Sequence, residues 1–177
     1  MEMSILHAIQ SIRCGFPDSF VLFLTKVTGS YGQIWLVVGA ALCVFKKTRK
    51  SGIAVIISYA LVFAVGQFGL KDLIARARPC HVDETVQLLI ARPSSYSCPS
   101  THSGWAFAGA TAILLRHKKG GLAAMAAAVL IAFSRLYLFV HYPTDVLFGA
   151  ALGVGAAFLA HWLVNVVCAK IESRHKV

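Results

Sequence analysis

Long apolar runs separated by short clusters of charge set the pattern of this chain. Five runs are plain, at residues 34–45, 53–70, 104–115, 122–140 and 146–167. A marginal sixth, at 20–27, reaches spanning length only when extended back to about residue 12. Ahead of them, Ile5, Leu6, Ile9 and Ile12 recur at helical spacing against Glu2, His7, Gln10 and Arg13, which predicts an amphipathic helix in the membrane interface. Glu2 and His7 interrupt the apolar core that a cleaved signal peptide needs, so this helix is expected to stay in the chain. The pattern predicts an all-α fold: a polytopic membrane helix bundle with about six transmembrane helices and an N-terminal interfacial helix, one domain over residues 1–177.

Composition points the same way. With 58% hydrophobic and 14% charged residues, the chain is far too apolar for a soluble domain, where about a quarter of residues are charged. Lys46, Lys47, Arg49 and Lys50 follow the second span, Arg116, Lys118 and Lys119 the fourth, and Lys170, Arg174 and Lys176 the sixth, all on one side by parity. The positive-inside rule makes that side cytoplasmic. Both termini are then expected in the cytoplasm, and the loops near residues 29–32, 71–103 and 139–145 outside a plasma (inner) membrane crossed several times. The net charge of +10 is mostly this topology signal and gives no support for a nucleic-acid partner.

Positive charge also appears where topology gives no reason for it. Lys71, Arg76, Arg78, Arg92 and Arg135 fall on the outer side, where an unpaired charge near lipid costs several kcal/mol, on the order of ~3. Arg76 and Arg92 read as snorkelling or ion-paired surface residues. Lys71 and Arg78, seven apart, are expected on one helix face before Pro79 ends the helix, a point charge and a planar fork suited to a phosphate. Ser100 is placed to cap the fourth span, whose first-turn N–H groups form an anion site beside the proton donor His102. Arg135 closes the fifth span. Pro143 suits the first turn of the sixth, from which Asp145 reaches back to the His141 imidazole and fixes its tautomer.

The arrangement K-x6-RP at Lys71, Arg78 and Pro79, PS-x-H at Pro99, Ser100 and His102, and SR-x5-H-x3-D at Ser134, Arg135, His141 and Asp145 resembles a known three-part signature. It is that of the type 2 phosphatidic acid phosphatase superfamily, which includes bacterial lipid phosphatases, glucose-6-phosphatase and vanadium haloperoxidases. Ten fixed positions, each met by chance about one time in twenty, leave no room for coincidence. The resemblance implies that His141 attacks phosphorus to form a phosphohistidine, that Asp145 supports its imidazole, and that His102 protonates the leaving oxygen and then activates water. Lys71, Arg78, Ser100, Thr101 and Arg135 would hold the phosphate oxygens, with no metal and no cofactor. Thr101 stands where members of the family usually carry Gly; its N–H can still donate, but a positive φ there would be strained.

Within the family, the compact layout best resembles the undecaprenyl-diphosphatase branch, which implies hydrolysis of undecaprenyl pyrophosphate to undecaprenyl phosphate at the outer leaflet. Alternatives are dephosphorylation of phosphatidylglycerophosphate, phosphatidate or lipid A, phosphoryl transfer between lipids, and a transporter or scaffold that keeps the fold. Loss of a motif residue would mark the last, and none is lost. Hydropathy excludes a soluble haloperoxidase. The expected partners are a lipid phosphate or pyrophosphate and the bilayer itself, and oligomeric state is left open.

The remaining signals are weaker. His81, Asp83 and Glu84 read as a solvated loop face, His161 as a packed helix residue, and Lys26 as a snorkelling one. Tyr96, Trp105, Tyr137 and Tyr142 read as an interfacial aromatic belt. Cys14, Cys43 and Cys168 are expected to be inert. Cys80 and Cys98 each adjoin a motif on the oxidising side, which leaves a bridge between them open.

Overall fold

A computed structural model describes residues 1–174; Lys176, one of the expected C-terminal basic residues, lies outside them. The described residues are helical, with no strand. In chain order the helices are α1 (Glu2–Gln10), α2 (Gly15–Thr28), α3 (Ile34–Val44) and α4 (Arg49–Val62), the last continuing as a π-helix (Phe63–Leu70) into α5 (Lys71–Ile74). After α6 (Pro79–Val82) and a loop come α7 (Thr101–Leu114), α8 (Lys118–Tyr137) and α9 (Pro143–Arg174). By length and composition three stretches can cross a bilayer, Arg49–Val82, Lys118–Tyr137 and Pro143–Ser173, and Ile34–Val44 is a shorter apolar helix. Exposed side chains such as Val37, Val44, Leu122, Phe133, Phe158 and Val167 cover the outside of the bundle with the apolar surface that lipid requires.

The middle of the bundle is α7, packed against α4, α8 and α9. A helix enclosed on several sides must be apolar all round, and neighbours approach closely only if its residues are small. Accordingly Gly104, Ala106, Ala108, Gly109, Ala110 and Ala112 are all buried. The seam with α9 is tightest: a Cβ on Gly149 would lie 2.2 Å from the Ser100 carbonyl oxygen, and one on Gly153 2.2 Å from that of Gly104. On another side, Trp35 of α3 lies where a Cβ on Gly109 would fall.

Several expectations need correction. The marginal run near residues 20–27 does not cross the bundle from end to end. At its start Asp18 accepts from the Tyr137 hydroxyl at 2.6 Å, and just past its end the Gly29 carbonyl meets His102 at 3.0 Å, so both ends of α2 lie at the end of the bundle where α8 finishes and α7 begins. The N-terminus therefore does not share a side with the C-terminus: Glu2 bonds Arg76 and Thr144 at the α2 end, whereas α9 runs away to the other. Lys71 and Arg78 do not share a helix either, because the chain leaves helical geometry at Ala75 (φ 48°, ψ 35°), and Pro79 opens α6 rather than ending α5. The aromatic belt is mostly interior: Trp105, Tyr137 and Tyr142 are buried and only Tyr96 is exposed. Aromatic rings prefer the water interface only when nothing better covers them, and here Tyr59 and Phe63 stack with Trp105 in the core.

One turn sets the geometry that follows. Helix α8 ends in a Schellman motif, with the Phe139 N–H donating to Leu136 and the Val140 N–H to Arg135. Phe139 holds φ at 60° where glycine is usual, and its ring is fully buried among Leu6, Val21, Cys80 and Tyr137, which offsets the strain. The reversal delivers Val140 and His141 back across the bundle end.

The α7–α9 seam makes a direct prediction. Gly149→Ala drives a methyl into the Ser100 backbone and should cost about 1–3 kcal/mol, lowering the thermal midpoint in detergent by roughly 2–4 °C per kcal/mol. Gly155→Ala, whose Cβ meets nothing within 4 Å, should leave the midpoint unchanged or slightly raised.

Candidate active site

A cavity of about 280 Å³ opens at the end of the bundle where α5, α7 and α8 meet the loops after α2, α6 and α8. Lys71, Arg78, Thr101, His102, Arg135 and His141 line it, together with Ser30, Tyr31, Gln67, Ser94 and Ser95. Six of the eight sequence-predicted site residues thus converge from five places: the start of α5, the linker before α6, the first turn of α7, the end of α8 and the turn after it. The other two stand behind the wall: Ser100 and Asp145 are fully buried, the Ser100 hydroxyl bonds Ser103 at 3.0 Å, and its N–H donates to the Asp145 carbonyl at 3.0 Å. Thr101 begins α7 with no positive φ, so the residue usual in its place, glycine, is not needed for backbone freedom here.

Three cations on the wall are buried, and none forms an ion pair among the described residues. Lys71, Arg78 and Arg135 are 3–4% exposed. Arg78 donates to the carbonyls of Ser95 at 2.6 Å, Val140 at 2.9 Å and Tyr96 at 3.1 Å, and to the Ser95 hydroxyl at 3.0 Å. Arg135 is held by hydroxyls, Thr25 at 2.8 Å and Ser134 at 2.9 and 3.0 Å, and Lys71 reaches Ser95 at 3.4 Å. Neutral oxygens orient these groups without cancelling their charge, so a strong positive field converges on the cavity.

The two histidines are in defined tautomers. Arg78 Nη1 lies 3.2 Å from His141 Nε2, and a guanidinium only donates, so the lone pair is on Nε2 and the proton on Nδ1. Burial pushes the His141 imidazole down to about 3, assisted by Arg78 and Lys71 and opposed by Asp145. It is therefore neutral near pH 7. Its Nδ1 lies 3.8 Å from Asp145 Oδ2, an approach rather than a hydrogen bond, and has no other partner. At His102 the Gly29 carbonyl, which only accepts, puts a proton on Nε2 and leaves Nδ1 free.

Asp145 is wrapped in donors. Oδ2 accepts from the Ser97 hydroxyl and from the Tyr142 N–H at 2.9 Å; Oδ1 accepts from Arg76 Nη1 at 2.6 Å. Arg76 is thus ion-paired, as its surface reading expected, and so is Arg92, 3.6 Å from Glu84. Lys26 does not line the cavity, and Cys80 and Cys98 are free thiols. Sequence reasoning missed Thr25, Gly29, Gln67, Ser95 and Ser97. The Ser94-Ser95-Tyr96-Ser97 run between two motifs was the one available signal, since hydroxyls clustered in an outer loop can orient buried cations.

With this geometry in view, the likenesses to known proteins become interpretable. Residues 50–167 match the model of the PAP2 superfamily, and the chain belongs to that family. It is 35% identical over 144 residues to an undecaprenyl-diphosphatase of Sulfolobus acidocaldarius, covering 81% of this chain and 68% of that one. It is 36% identical over 147 residues to undecaprenyl-diphosphatase BcrC of Bacillus subtilis, covering 80% and 72%. In structure it resembles the transmembrane PAP2-type phosphatidylglycerolphosphate phosphatase of Bacillus subtilis, with a TM-score of 0.72 at 27% identity over 96% of this chain and 85% of that one. The chain is a membrane lipid phosphatase of the PAP2 class.

The depressed His141 imidazole has a measurable consequence. A group with a lowered folded pKa favours the fold above its unfolded value, about 6.5, and loses that contribution as pH falls toward about 3. In 15N-histidine spectra of the protein in detergent, the resonance removed by His141→Ala should keep neutral-imidazole shifts from pH 8 down to at least about 4.5. A midpoint near 6.5 would show an imidazole that neither burial nor the cations disturb.

Proposed function

We propose that the chain hydrolyses undecaprenyl pyrophosphate to undecaprenyl phosphate and inorganic phosphate at the outer leaflet, through a phosphohistidine on His141. The observation that carries this is the set of three buried, unpaired cations around the Nε2 lone pair of a neutral histidine. Nε2 attacks the terminal phosphorus and the bond from phosphorus to the bridging oxygen breaks. Burial and Arg135 push the His102 imidazole down to about 3; the anionic substrate beside it favours its protonated form, which gives its proton to that oxygen as the lipid monophosphate leaves. His102 then takes a proton from water, whose oxygen attacks phosphorus, and the P–N bond breaks to release phosphate and restore His141. Lys71, Arg78, Arg135 and the Thr101 N–H hold the equatorial oxygens, where charge grows in the transition state, so no divalent ion is required. Ser100 acts through the first turn of α7 rather than by contact.

The likeness to two undecaprenyl-diphosphatases supports the substrate, and the cavity volume suits a phosphate or pyrophosphate whose chain stays in lipid. Purified protein should release phosphate from undecaprenyl pyrophosphate faster than from phosphatidylglycerophosphate, phosphatidate or lipid A, in the presence of EDTA, and vanadate should block it. His141→Ala should lose at least roughly 1,000-fold in turnover and remain folded. Preference for phosphatidylglycerophosphate would reassign the substrate, and strict Mg²⁺ dependence would remove the proposed chemistry.

Orientation follows from charge. The basic loops near residues 46–50 and 116–119 lie at the far end of the bundle from the cavity, which by the positive-inside rule supports a cavity on the outer side. In a cysteine-free background, an impermeant thiol reagent added to intact cells should label a cysteine replacing Glu84 and spare one replacing Lys119. The opposite pattern would turn the cavity to the cytoplasm and exclude an exported lipid as substrate.

A further inference from the structure

Outside the family motifs, one polar network touches the site from behind. Arg76 sits in the linker between α5 and α6, and its guanidinium is held at both terminal nitrogens and on one face. Nη1 donates to Asp145 Oδ1 at 2.6 Å and to the Thr144 hydroxyl at 2.8 Å, and Nη2 donates to Glu2 Oε2 at 2.6 Å. The plane lies over the Tyr142 ring, 3.9 Å from its centroid. The second oxygen of Glu2 accepts from the Thr144 N–H at 3.1 Å and its hydroxyl at 2.8 Å, capping the first turn of α9 immediately before Asp145. The helix that carries Glu2 is itself anchored at this end: Leu6 is fully buried, and Gln10 donates to the Tyr137 carbonyl at 2.9 Å.

We propose that Glu2 and Arg76 are positioning residues of the reaction: through them the N-terminal helix holds Asp145 in place to receive the charge that develops on His141. This rests on the assignment of His141 as nucleophile. When Nε2 bonds to phosphorus the ring becomes cationic, and its Nδ1–H, 3.8 Å from Asp145 Oδ2 at rest, gains a reason to close that gap. The fork of Arg76 occupies Oδ1 only, which leaves Oδ2 turned toward the ring. By itself a guanidinium at 2.6 Å would neutralise the carboxylate that the imidazolium needs. Glu2 on its other edge offsets that charge, giving an alternation of Glu2 negative, Arg76 positive, Asp145 negative, His141 positive on phosphorylation. Glu2 stays ionised for this: against the raising effect of burial, the Thr144 donors and Arg76 hold its carboxyl below the usual range. Neither residue lines the cavity, so neither contributes to holding substrate.

The test is a split between turnover and binding. Glu2→Gln, which keeps shape and removes charge, and Arg76→Ala should each lower kcat by roughly 10- to 100-fold, with KM for undecaprenyl pyrophosphate within about twofold of wild type and the vanadate inhibition constant rising in step with the loss in kcat, because vanadate bonded to Nε2 also makes the ring cationic. The double variant should be no worse than Arg76→Ala, because both act through one carboxylate, and Arg76→Lys should recover part of the loss. If Arg76→Ala does not fold, Glu2→Gln decides alone. A kcat unchanged in Glu2→Gln, losses that multiply in the double variant, or a fall in kcat matched by a rise in KM would each overturn the proposal. His141→Ala runs in parallel. If it is inactive while Glu2→Gln and Arg76→Ala turn over normally, the positioning network falls and the phosphohistidine reading stands; if it is active, that reading falls first.

Discussion

Everything at the cavity depends on keeping three positive charges buried without a carboxylate to cancel them. Lys71, Arg78 and Arg135 are nearly inaccessible, yet they bond only carbonyls, hydroxyls and an imidazole lone pair. Burial of an unpaired charge is among the most expensive acts in a fold, and the surrounding oxygens offset only part of it. On the proposed reading, a bound phosphate, with its double charge and several acceptors, offsets the rest. Burial, assisted by the same field, accounts for the neutral His141: an imidazolium among these cations is disfavoured, so the lone pair is available at rest.

Holding that cluster together is a backbone problem before it is an electrostatic one. The cations come from the end of a helix, a linker and another helix end, and the histidines from a first turn and a reversal. Their relative placement is fixed by α7 lying within about one backbone's thickness of α9, where Gly149 meets Ser100 and Gly153 meets Gly104. In lipid, burial of apolar surface between helices gains little, because lipid is equally apolar, so contact distance and packing determine the geometry. The fully buried Phe139, held at positive φ, shows the same logic in the turn before His141.

Much of this was legible in the sequence, and the gaps have physical reasons. The all-helical class and membrane setting were visible because long apolar runs have few other solutions. Lys71, Arg78 and Arg135 on the cavity wall were visible because cations away from the basic loops have no topological excuse, and Thr101, His102 and His141 because they fall within the motif spacings. The helical register from Lys71 to Arg78 was misread because nothing local announces a left-handed Ala75; tertiary packing imposes it, and the two side chains converge by a route the seven-residue spacing did not imply. Helix α2 was misread because hydropathy cannot separate a short span from a helix laid across the bundle end. Hydropathy sees only one residue at a time, whereas the docking of Thr25 on Arg135 and Gly29 on His102 is a long-range fact. Tyr137 and Tyr142 were assigned to the interface for the same reason: amphipathic rings suit both places, and only the packing of α1 and α2 over them decides.

That covering of the bundle end bears on what a lipid substrate meets there. Helix α2 supplies two of the contacts that set the site: the Thr25 hydroxyl on Arg135 and, just beyond its last residue, the Gly29 carbonyl on His102. The exposed residues of α2 on its other side include Phe16, Phe20, Phe23 and Val27, which are apolar and face where lipid lies. One short helix therefore presents an apolar face outward and meets the proposed acid and the proposed phosphate-holding Arg135 with the other. Its position in the interface and the geometry of the site are not independent variables. An amphipathic helix settles where its apolar face meets the hydrocarbon boundary, so a bilayer that moved α2 would act through Thr25 and Gly29 on Arg135 and His102.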